Sequence, residues 1–415
     1  MPAARLLSGL FAAAILALAA PGGEPELHVR GGLPNLAAHT TGELRVAYLG
    51  GSITAAAEGW RSLTTALLER QFPHTTIVEI AAGLPGTGSN LGACRLGRDV
   101  LRHRPDLLFV EFAVNDASVP PERIEQTMEG IVRQTWRANP ATDIWFVYTV
   151  SSPVLPDLQA GRFPAAARAM ERVATHYGIP SLHLGVEVAR RLAAGELVFK
   201  APDAPADPRT FSLDGVHPTG AGHRVYLGAL ERTLPLLLAN LRAAPHEMPP
   251  PLHADNWEGA GMRTLDDVLR QGEWQPVPLD DPNLRGATKH LMPPLWRTAT
   301  PGAAIEFGFT GKTFGLLGLA APDSGSFRVT VDGLPPVQAT FFDAFVSPTF
   351  CRQREWFYPS GLSAGRHRVR VELTEPASDK AAIKAKAGKP ITAPGPYTPN
   401  RLTLGGVLIV TTPAP

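Results

Sequence analysis

This 415-residue sequence lacks an excess of either charge, because 39 Lys and Arg are balanced by 38 Asp and Glu and the formal net charge is +1. No basic run stands out along the chain. A clustered basic surface supplies most of the affinity of proteins that bind nucleic acid. We therefore expect no nucleic-acid partner.

Cysteine is also scarce, since the chain has only Cys94 and Cys351. A disulfide is possible in an exported protein, but these two residues fall in different predicted domains, and we expect both to be free and buried. No Cys or His cluster has the spacing of a zinc site. The sequence therefore predicts neither a structural metal nor another cofactor.

Long apolar runs are missing except at the N-terminus, where residues 6–20 follow Arg5. The run ends near Ala17-Leu18-Ala19, which fits a small-x-small cleavage site, so residues 1–20 are predicted to be a signal peptide. About 15 apolar residues are fewer than the roughly 20 that span a bilayer. An uncleaved anchor is the alternative, and no Cys follows that would carry a lipid. We expect an exported protein, periplasmic or extracellular, with no membrane association after signal removal.

Short apolar runs alternate with helical stretches between residues 44 and 242. This alternation predicts a three-layer α/β domain over residues 24–243, in which helices cover both faces of a parallel sheet. The predicted strands are Leu44–Leu49, Thr76–Ala81, Asp106–Ala113, Ile144–Val150 and Ser181–Leu184. The predicted helices are Trp60–Gln71, Gly92–His103, Glu122–Asn139, Pro164–Tyr177 and Thr219–Leu241. Ligands of such sheets bind beyond the carboxyl ends of the strands.

The pattern changes after a proline-rich segment, residues 244–256, which we interpret as a stiff linker. Residues 257–415 then show short β-type runs separated by turn dipeptides such as Asp332-Gly333. These predicted strands are Ala304–Phe309, Thr313–Leu319, Phe327–Val331, Val337–Thr340, His367–Leu373 and Leu402–Val410. This pattern predicts an all-β accessory domain, a sandwich of the jelly-roll kind. Within it, Asp379–Pro399 is predicted to be an exposed loop.

Candidate catalytic residues follow the first three predicted strands. Ser52 comes directly after Gly50 and Gly51, and glycines at such a turn permit unusual backbone angles and close approach of a substrate. Gly86 lies in a glycine-rich loop after the second strand; no Gly-Lys-Ser/Thr follows, which argues against a phosphate loop. Asn115 closely follows the third strand, where its amide can donate to a developing oxyanion or can cap the next turn.

Asp214 and His217 lie three residues apart in the segment Asp214-Gly215-Val216-His217-Pro218. A carboxylate at this spacing can orient an imidazole, which then accepts the proton of a serine. A metal site formed with His223 is the alternative, but it lacks a further matched ligand.

These signals in this order resemble the SGNH (GDSL-type) hydrolase superfamily over roughly residues 44–240, about half of the chain. The resemblance implies a flavodoxin-like arrangement of the three-layer domain. It also implies a catalytic triad of Ser52 as nucleophile, His217 as base and Asp214 as its orienting partner. It further implies an oxyanion hole formed by the N–H of Ser52, Gly86 and Asn115.

Two positions depart from the family pattern. Gly51 stands where an acidic residue usually precedes the serine, and Ala113 stands where a glycine usually precedes the asparagine by two residues. Neither change removes a group that the chemistry needs. Gly88 is a rival to Gly86 for the oxyanion role.

Together these features predict a serine esterase that removes O-acetyl groups from a carbohydrate, with an acetylated carbohydrate or another ester as its substrate partner. A lipase, a thioesterase, an arylesterase and an O-acetyltransferase with the same triad are alternatives, as is a binding protein with an inactive triad. Four tryptophans of the C-terminal half could stack on sugar rings, although we favour core packing for them: Trp257, Trp274, Trp296 and Trp356. The oligomeric state is left open.

Overall fold

The computed structural model describes residues 23–201, 207–239 and 241–411. The predicted signal peptide, residues 1–20, lies outside the described residues. The chain divides into two compact units, of which the first comprises Met1–Gly83 with Val100–Asn256 and the second comprises Leu84–Asp99 with Trp257–Pro415. Residues 84–99, which the sequence pattern places in the first domain, are therefore grouped with the C-terminal unit.

A six-stranded sheet forms the centre of the first unit. Its strands are β1 (Leu27–His28), β2 (Gly42–Gly50), β3 (Thr75–Gly83), β4 (Leu107–Glu111), β5 (Asp143–Tyr148) and β6 (Ser181–His183). The strand order is β1-β6-β5-β4-β2-β3, and all neighbours are parallel except β1 and β6. Every residue of β4 and β5 is buried, as expected for strands covered on both faces. The predicted parallel α/β domain is confirmed.

Helices connect these strands. They are α1 (Pro34–Ala37), α2 (Ser52–Ala55), α3 (Trp60–Gln71), α4 (Ser89–Asp99, in the second unit), α5 (Pro121–Ala138), α6 (Leu155–Gln159), α7 (Ala165–Tyr177), α8 (Leu184–Ala193) and α9 (Gly220–Leu238). The longer ones are amphipathic: in α5, for example, Ile124, Met128, Ile131 and Val132 are buried at helical spacing. A small parallel pair, β7 (Val198–Lys200) with β8 (Thr210–Ser212), precedes α9.

The proline-rich segment 244–256 is held against the first unit by hydrogen bonds. The His246 ring lies 2.8 Å from a carboxylate oxygen of Asp143, and Arg133 donates to the carbonyl of Pro249 at 2.9 Å. The backbone N–H groups of Leu252 and His253 both donate to Glu129. The segment therefore packs along the first unit.

The second unit is a β-sandwich, as the sequence predicts. Its strands are β9 (Ala260–Arg263), β10 (Leu269–Gln271), β11 (Gln275–Val277), β12 (Leu295–Thr298), β13 (Ala304–Gly311), β14 (Thr313–Ala320), β15 (Ser326–Val331), β16 (Val337–Thr340), β17 (Arg352–Phe357), β18 (Gly365–Leu373) and β19 (Leu402–Val410). One antiparallel sheet has the order β10-β13-β18-β15-β16, and the other has the order β11-β12-β19-β14-β17 with β9 also paired to β19. Aromatic and β-branched residues of both sheets form one buried core.

Three sequence expectations about this unit can be compared with the structure. The segment Asp379–Pro399 is not wholly a loop, because it contains α10 (Lys380–Lys386). Cys94 and Cys351 are free and buried as expected, but both belong to the second unit. The four tryptophans are fully or partly buried against the sandwich residues, which favours core packing over sugar stacking.

Within the described ranges, no helix is both long enough and apolar enough to cross a membrane.

Candidate active site

The turn between β2 and α2 carries Ser52 and leaves no room for side chains before it. A Cβ atom at Gly50 would lie 2.4 Å from Oγ1 of Thr54, and one at Gly51 would lie 2.0 Å from Oδ1 of Asn115. Ser52 is the first residue of α2, and the first N–H groups of a helix have no partner within the helix. The two glycines thus allow a sharp turn that presents both the hydroxyl and the backbone N–H of the serine.

Ser52, His217 and Asp214 form a continuous chain of hydrogen bonds. The Oγ atom of Ser52 lies 2.8 Å from Nε2 of His217, and Nδ1 of His217 lies 2.6 Å from Oδ2 of Asp214. The distances suit transfer of the serine proton to the imidazole while the carboxylate orients the ring. The structure therefore brings together the three residues predicted to form the triad.

The second carboxylate oxygen of Asp214 is held by its own turn. The backbone N–H groups of Val216 and His217 both donate to Oδ1 of Asp214 at 2.8 Å. Partial burial on its own would raise the pKa of Asp214, but these bonds and the His217 ring outweigh it and lower that pKa well below its usual range. The carboxylate is consequently ionised whenever the imidazole must be stabilised in its protonated form.

A loop after β5 supports this turn from below. The N–H and the hydroxyl of Ser152 both donate to the carbonyl of Gly215, at 2.7 and 3.1 Å. Gly215 has a positive φ of 87°, and a Cβ atom there would lie 2.3 Å from Oγ of Ser152. Glycine is required at this position because both the backbone angle and the close approach exclude a side chain.

Asn115 follows β4 and lies beside the nucleophile turn. The atoms closest to a Cβ built at Gly51 are Oδ1, Cγ and Nδ2 of Asn115, at 2.0, 2.7 and 3.0 Å. The carboxamide thus packs against the residue that precedes Ser52. This contact also explains why glycine occupies position 51, where the family pattern has an acidic residue.

Gly86 belongs to the second unit, whereas Ser52 and Asn115 belong to the first. Its φ is 70°, and its carbonyl accepts a hydrogen bond of 3.1 Å from Nη1 of Arg352. The carbonyl of the rival Gly88 accepts a bond of 3.0 Å from the N–H of Gly92 in α4. The oxyanion role of Gly86 stays a prediction.

His223 is a structural residue in this arrangement. Its Nδ1 accepts the N–H of Trp60 at 3.1 Å, at the start of α3. Burial, and then the nearby charge of His217, lower the pKa of His223 to about 4. Among the described residues, no group of three or more His, Cys, Asp or Glu side chains is arranged to hold a metal ion.

Sequence reasoning missed Glu111, which ends β4 beneath the nucleophile turn. The side chain is fully buried and accepts hydrogen bonds from the hydroxyls of Thr54, at 2.8 Å, and Thr149, at 2.6 Å. A single acidic residue within the otherwise apolar run of β4 was the signal that could have revealed it.

Comparison with known proteins defines the class of this site. Residues 48–225 match the model of the GDSL-like lipase/acylhydrolase family. This segment contains all the residues considered above as triad or oxyanion groups. The chain therefore contains a GDSL-like lipase/acylhydrolase domain, and the protein is a hydrolase of ester bonds.

Two solved structures resemble the chain over most of its length. Both are of a two-domain esterase (CEX) active on acetylated mannans, and one of them was co-crystallised with mannopentaose. Each is 21% identical to this protein, and each match covers 93% of this chain and 97% of the esterase chain. The TM-score is 0.70 for the mannopentaose complex and 0.71 for the second structure. At this identity the likeness shows a shared two-domain fold. No curated protein matches the chain.

Proposed function

We propose that the protein is an exported serine esterase that removes O-acetyl groups from a carbohydrate through an acyl-enzyme on Ser52. The observation that carries this proposal is the hydrogen-bonded chain from Ser52 through His217 to Asp214. Such a chain is the arrangement that activates a serine hydroxyl as a nucleophile.

The first half-reaction transfers the acetyl group to the enzyme. His217 accepts the proton of Ser52 as Oγ attacks the acetyl carbonyl, and Asp214 stabilises the resulting imidazolium. The negative charge that develops on the carbonyl oxygen is stabilised by the N–H of Ser52 and by Asn115, together with Gly86. His217 then gives the proton to the departing sugar oxygen, which leaves acetyl-Ser52 and a free hydroxyl on the sugar.

The second half-reaction releases acetate. His217 removes a proton from a water molecule as its oxygen attacks the acetyl carbon of acetyl-Ser52. The tetrahedral intermediate collapses when His217 returns the proton to Oγ of Ser52. Acetate and the starting enzyme are the products, so the cycle needs only water besides the ester.

Two observations support the choice of an acetylated carbohydrate. The similar two-domain esterase acts on acetylated mannans. The apolar segment of residues 6–20 supports export, which would bring the enzyme to polysaccharides outside the cell.

A panel of substrates tests the proposal. Acetate release from acetylated mannan and acetylated xylan would be compared with hydrolysis of p-nitrophenyl acetate and p-nitrophenyl palmitate, with Ser52→Ala as the matched control. We expect turnover of the acetylated polysaccharides and of the short ester. Faster turnover of the palmitate ester would identify a lipase, and transfer of acetyl to an added sugar in preference to water would identify an acetyltransferase.

Export can be tested separately. The full-length chain and a variant without residues 1–20 would be expressed in bacteria, and activity would be measured in the exported and cytoplasmic fractions. We expect exported activity only for the full-length chain. Equal distribution of the two proteins would contradict the signal-peptide assignment.

A further inference from the structure

Glu111 accepts hydrogen bonds from two threonine hydroxyls in a site closed to solvent. Its side chain has 0% exposure at the carboxyl end of β4. One carboxyl oxygen accepts from the hydroxyl of Thr54 at 2.8 Å, and the other accepts from the hydroxyl of Thr149 at 2.6 Å. A buried carboxyl is costly unless it is fully hydrogen-bonded, so its surroundings must be closely fitted to it.

The first donor, Thr54, lies two residues after Ser52 in α2. Its hydroxyl also lies against Gly50, where a Cβ atom would be 2.4 Å from Oγ1. Thr54 is itself completely buried, so its hydroxyl has no water as an alternative partner. The carboxyl of Glu111 therefore fixes the short helix that begins with Ser52.

The second donor, Thr149, connects Glu111 to the opposite side of the site. Thr149 directly follows β5, and Ser152, three residues further on, donates its N–H and its hydroxyl to the carbonyl of Gly215. Gly215 belongs to the turn between Asp214 and His217. One buried carboxyl thus links the turn that carries the serine to the loop that supports the histidine.

We propose that Glu111 is a positioning residue that sets the separation between Oγ of Ser52 and Nε2 of His217. This proposal rests on the proposed function, in which the proton of Ser52 moves to His217. That hydrogen bond is 2.8 Å long and joins two different turns, so its length depends on how both turns are fixed. Displacement of a reacting group by about 1 Å can reduce a rate by about a hundredfold.

The hydrogen-bond pattern indicates which substitutions are informative. Glu111→Gln keeps the shape of the side chain and one acceptor oxygen, and its amide group can donate to the hydroxyl of Thr54 or Thr149, because a hydroxyl can also accept a hydrogen bond. Glu111→Leu keeps most of the volume but leaves both threonine hydroxyls without their acceptor. Burial raises the pKa of Glu111, against the hydrogen bonds that it accepts, which makes a neutral amide a close substitute.

The test uses the full-length protein and two readouts. Steady-state hydrolysis of p-nitrophenyl acetate gives kcat and KM, and the rate of inactivation by phenylmethylsulfonyl fluoride reports the reactivity of Ser52 itself. Glu111→Leu should lower kcat and the inactivation rate by about a hundredfold with KM changed by less than about threefold. Glu111→Gln should recover both rates to within about tenfold of the wild type.

Asp143→Asn is the matched control. Asp143 is equally buried and accepts three hydrogen bonds, from Asn35, from the N–H of Leu36 and from His246. It is the first residue of β5, at the amino end of the parallel strands, whereas Ser52 follows the carboxyl end of β2. Its substitution should lower the melting temperature and leave kcat unchanged at temperatures where the protein is folded.

Two results would overturn the proposal. If folded Glu111→Leu retains wild-type kcat and the wild-type inactivation rate, Glu111 is structural only. If Glu111→Leu does not fold, Thr149→Val decides, because it breaks only the link toward Gly215, and unchanged rates in that variant would also reject the proposal. Failure of the proposed function looks different, since Ser52→Ala would then retain activity.

Discussion

The nucleophile and the base of the candidate site are held in different ways. The turn around Ser52 is packed from below, because Thr54 and Glu111 are fully buried and the Asn115 side chain lies against Gly51. The turn with Asp214 and His217 is open, and the side chains of these two residues are 55% and 51% exposed. It is held by hydrogen bonds within the turn and by a loop beneath it.

This contrast predicts different consequences of substitution on the two sides. On the serine side, neighbouring groups also belong to the core, so a change there can lower both stability and activity. On the histidine side, exposed groups contribute little to folding, so a change there should affect activity and its pH dependence alone. Measuring the melting temperature beside kcat for each variant therefore tests the comparison directly.

The largest effect is expected for Ser52→Ala. Loss of the nucleophile should lower kcat by about a thousandfold or more. The melting temperature should stay close to that of the wild type, because the change removes one hydroxyl from the edge of the site. Hydrolysis of p-nitrophenyl acetate and a thermal melt measure the two quantities, and turnover near the wild-type rate in a pure preparation would reject the triad.

His217→Ala and Asp214→Asn test the open side. His217→Ala should approach the loss seen for Ser52→Ala, since the imidazole transfers the proton. Asp214→Asn should be less severe by about tenfold or more, because the carboxylate orients and stabilises the ring without transferring the proton itself. Neither should lower the melting temperature appreciably. A clear drop in melting temperature for either variant would contradict the distinction between the two sides.

The pH dependence of kcat/KM sharpens this prediction. Activity requires a neutral imidazole, so it should be lost as the pH falls through the range of about 8 to 5 in which histidines become charged. The lowered pKa of Asp214 keeps its carboxylate ionised throughout that range. Hydrolysis of p-nitrophenyl acetate measured between about pH 4 and pH 9 tests this expectation. Activity that stays constant down to about pH 5 would contradict a histidine as the base.

Asn115→Ala tests a residue on the packed side that is predicted to act in the transition state. If its amide stabilises the oxyanion, kcat should fall by about a hundredfold, or roughly 3 kcal/mol, with a smaller change in KM. The variant also removes a side chain that packs against Gly51. The melting temperature should fall as well, unlike that of His217→Ala. A weakened KM at unchanged kcat would mean that Asn115 only positions the substrate.

The sequence predicts the regular elements well where local patterns are strong. Helix α3 and strands β16 and β19 have the predicted bounds, because each combines a clear periodicity or apolar run with clear ends. Strand β17 was missed because its sequence, Arg-Gln-Arg-Glu-Trp-Phe, is mostly charged or polar. Its partner β14 provides the pairing, and such long-range pairing leaves no local signal.

The sequence predicts some residues of the candidate site but not the tertiary packing around it. Ser52, Asn115, Asp214 and His217 follow strands or lie in a short motif, where polar residues after apolar runs are visible. The grouping of residues 84–99 with the sandwich was not predicted, because it depends on tertiary packing of α4. In that helix Arg95 and Asp99 form a buried ion pair at 3.1 Å. Charged residues four apart on a helix are usually exposed, so the sequence gives no indication that this face of α4 is buried.

The smallest effect on kcat is expected for a substitution of Arg352, which contacts the turn at Gly86. Its guanidinium donates to the carbonyl of Gly86 at 3.1 Å and is held by Asp343 through bonds of 3.0 and 2.6 Å. Thr87 closes the same turn by donating its hydroxyl to the carbonyl of Leu84 at 2.8 Å. Arg352→Gln should therefore loosen one of two restraints on the peptide groups of Gly86.

If the N–H of Gly86 stabilises the oxyanion, this loosening should lower kcat by about threefold to tenfold, less than the loss of a whole donor. KM for p-nitrophenyl acetate should change little. Arg354→Gln is the matched control, because Arg354 lies on the same strand and 3.7 Å from the same Asp343 but donates to the carbonyls of Phe341 and Phe342. Equal kcat values for the two variants would remove the support for Gly86 and favour Gly88, whose carbonyl is fixed within α4 and does not depend on Arg352.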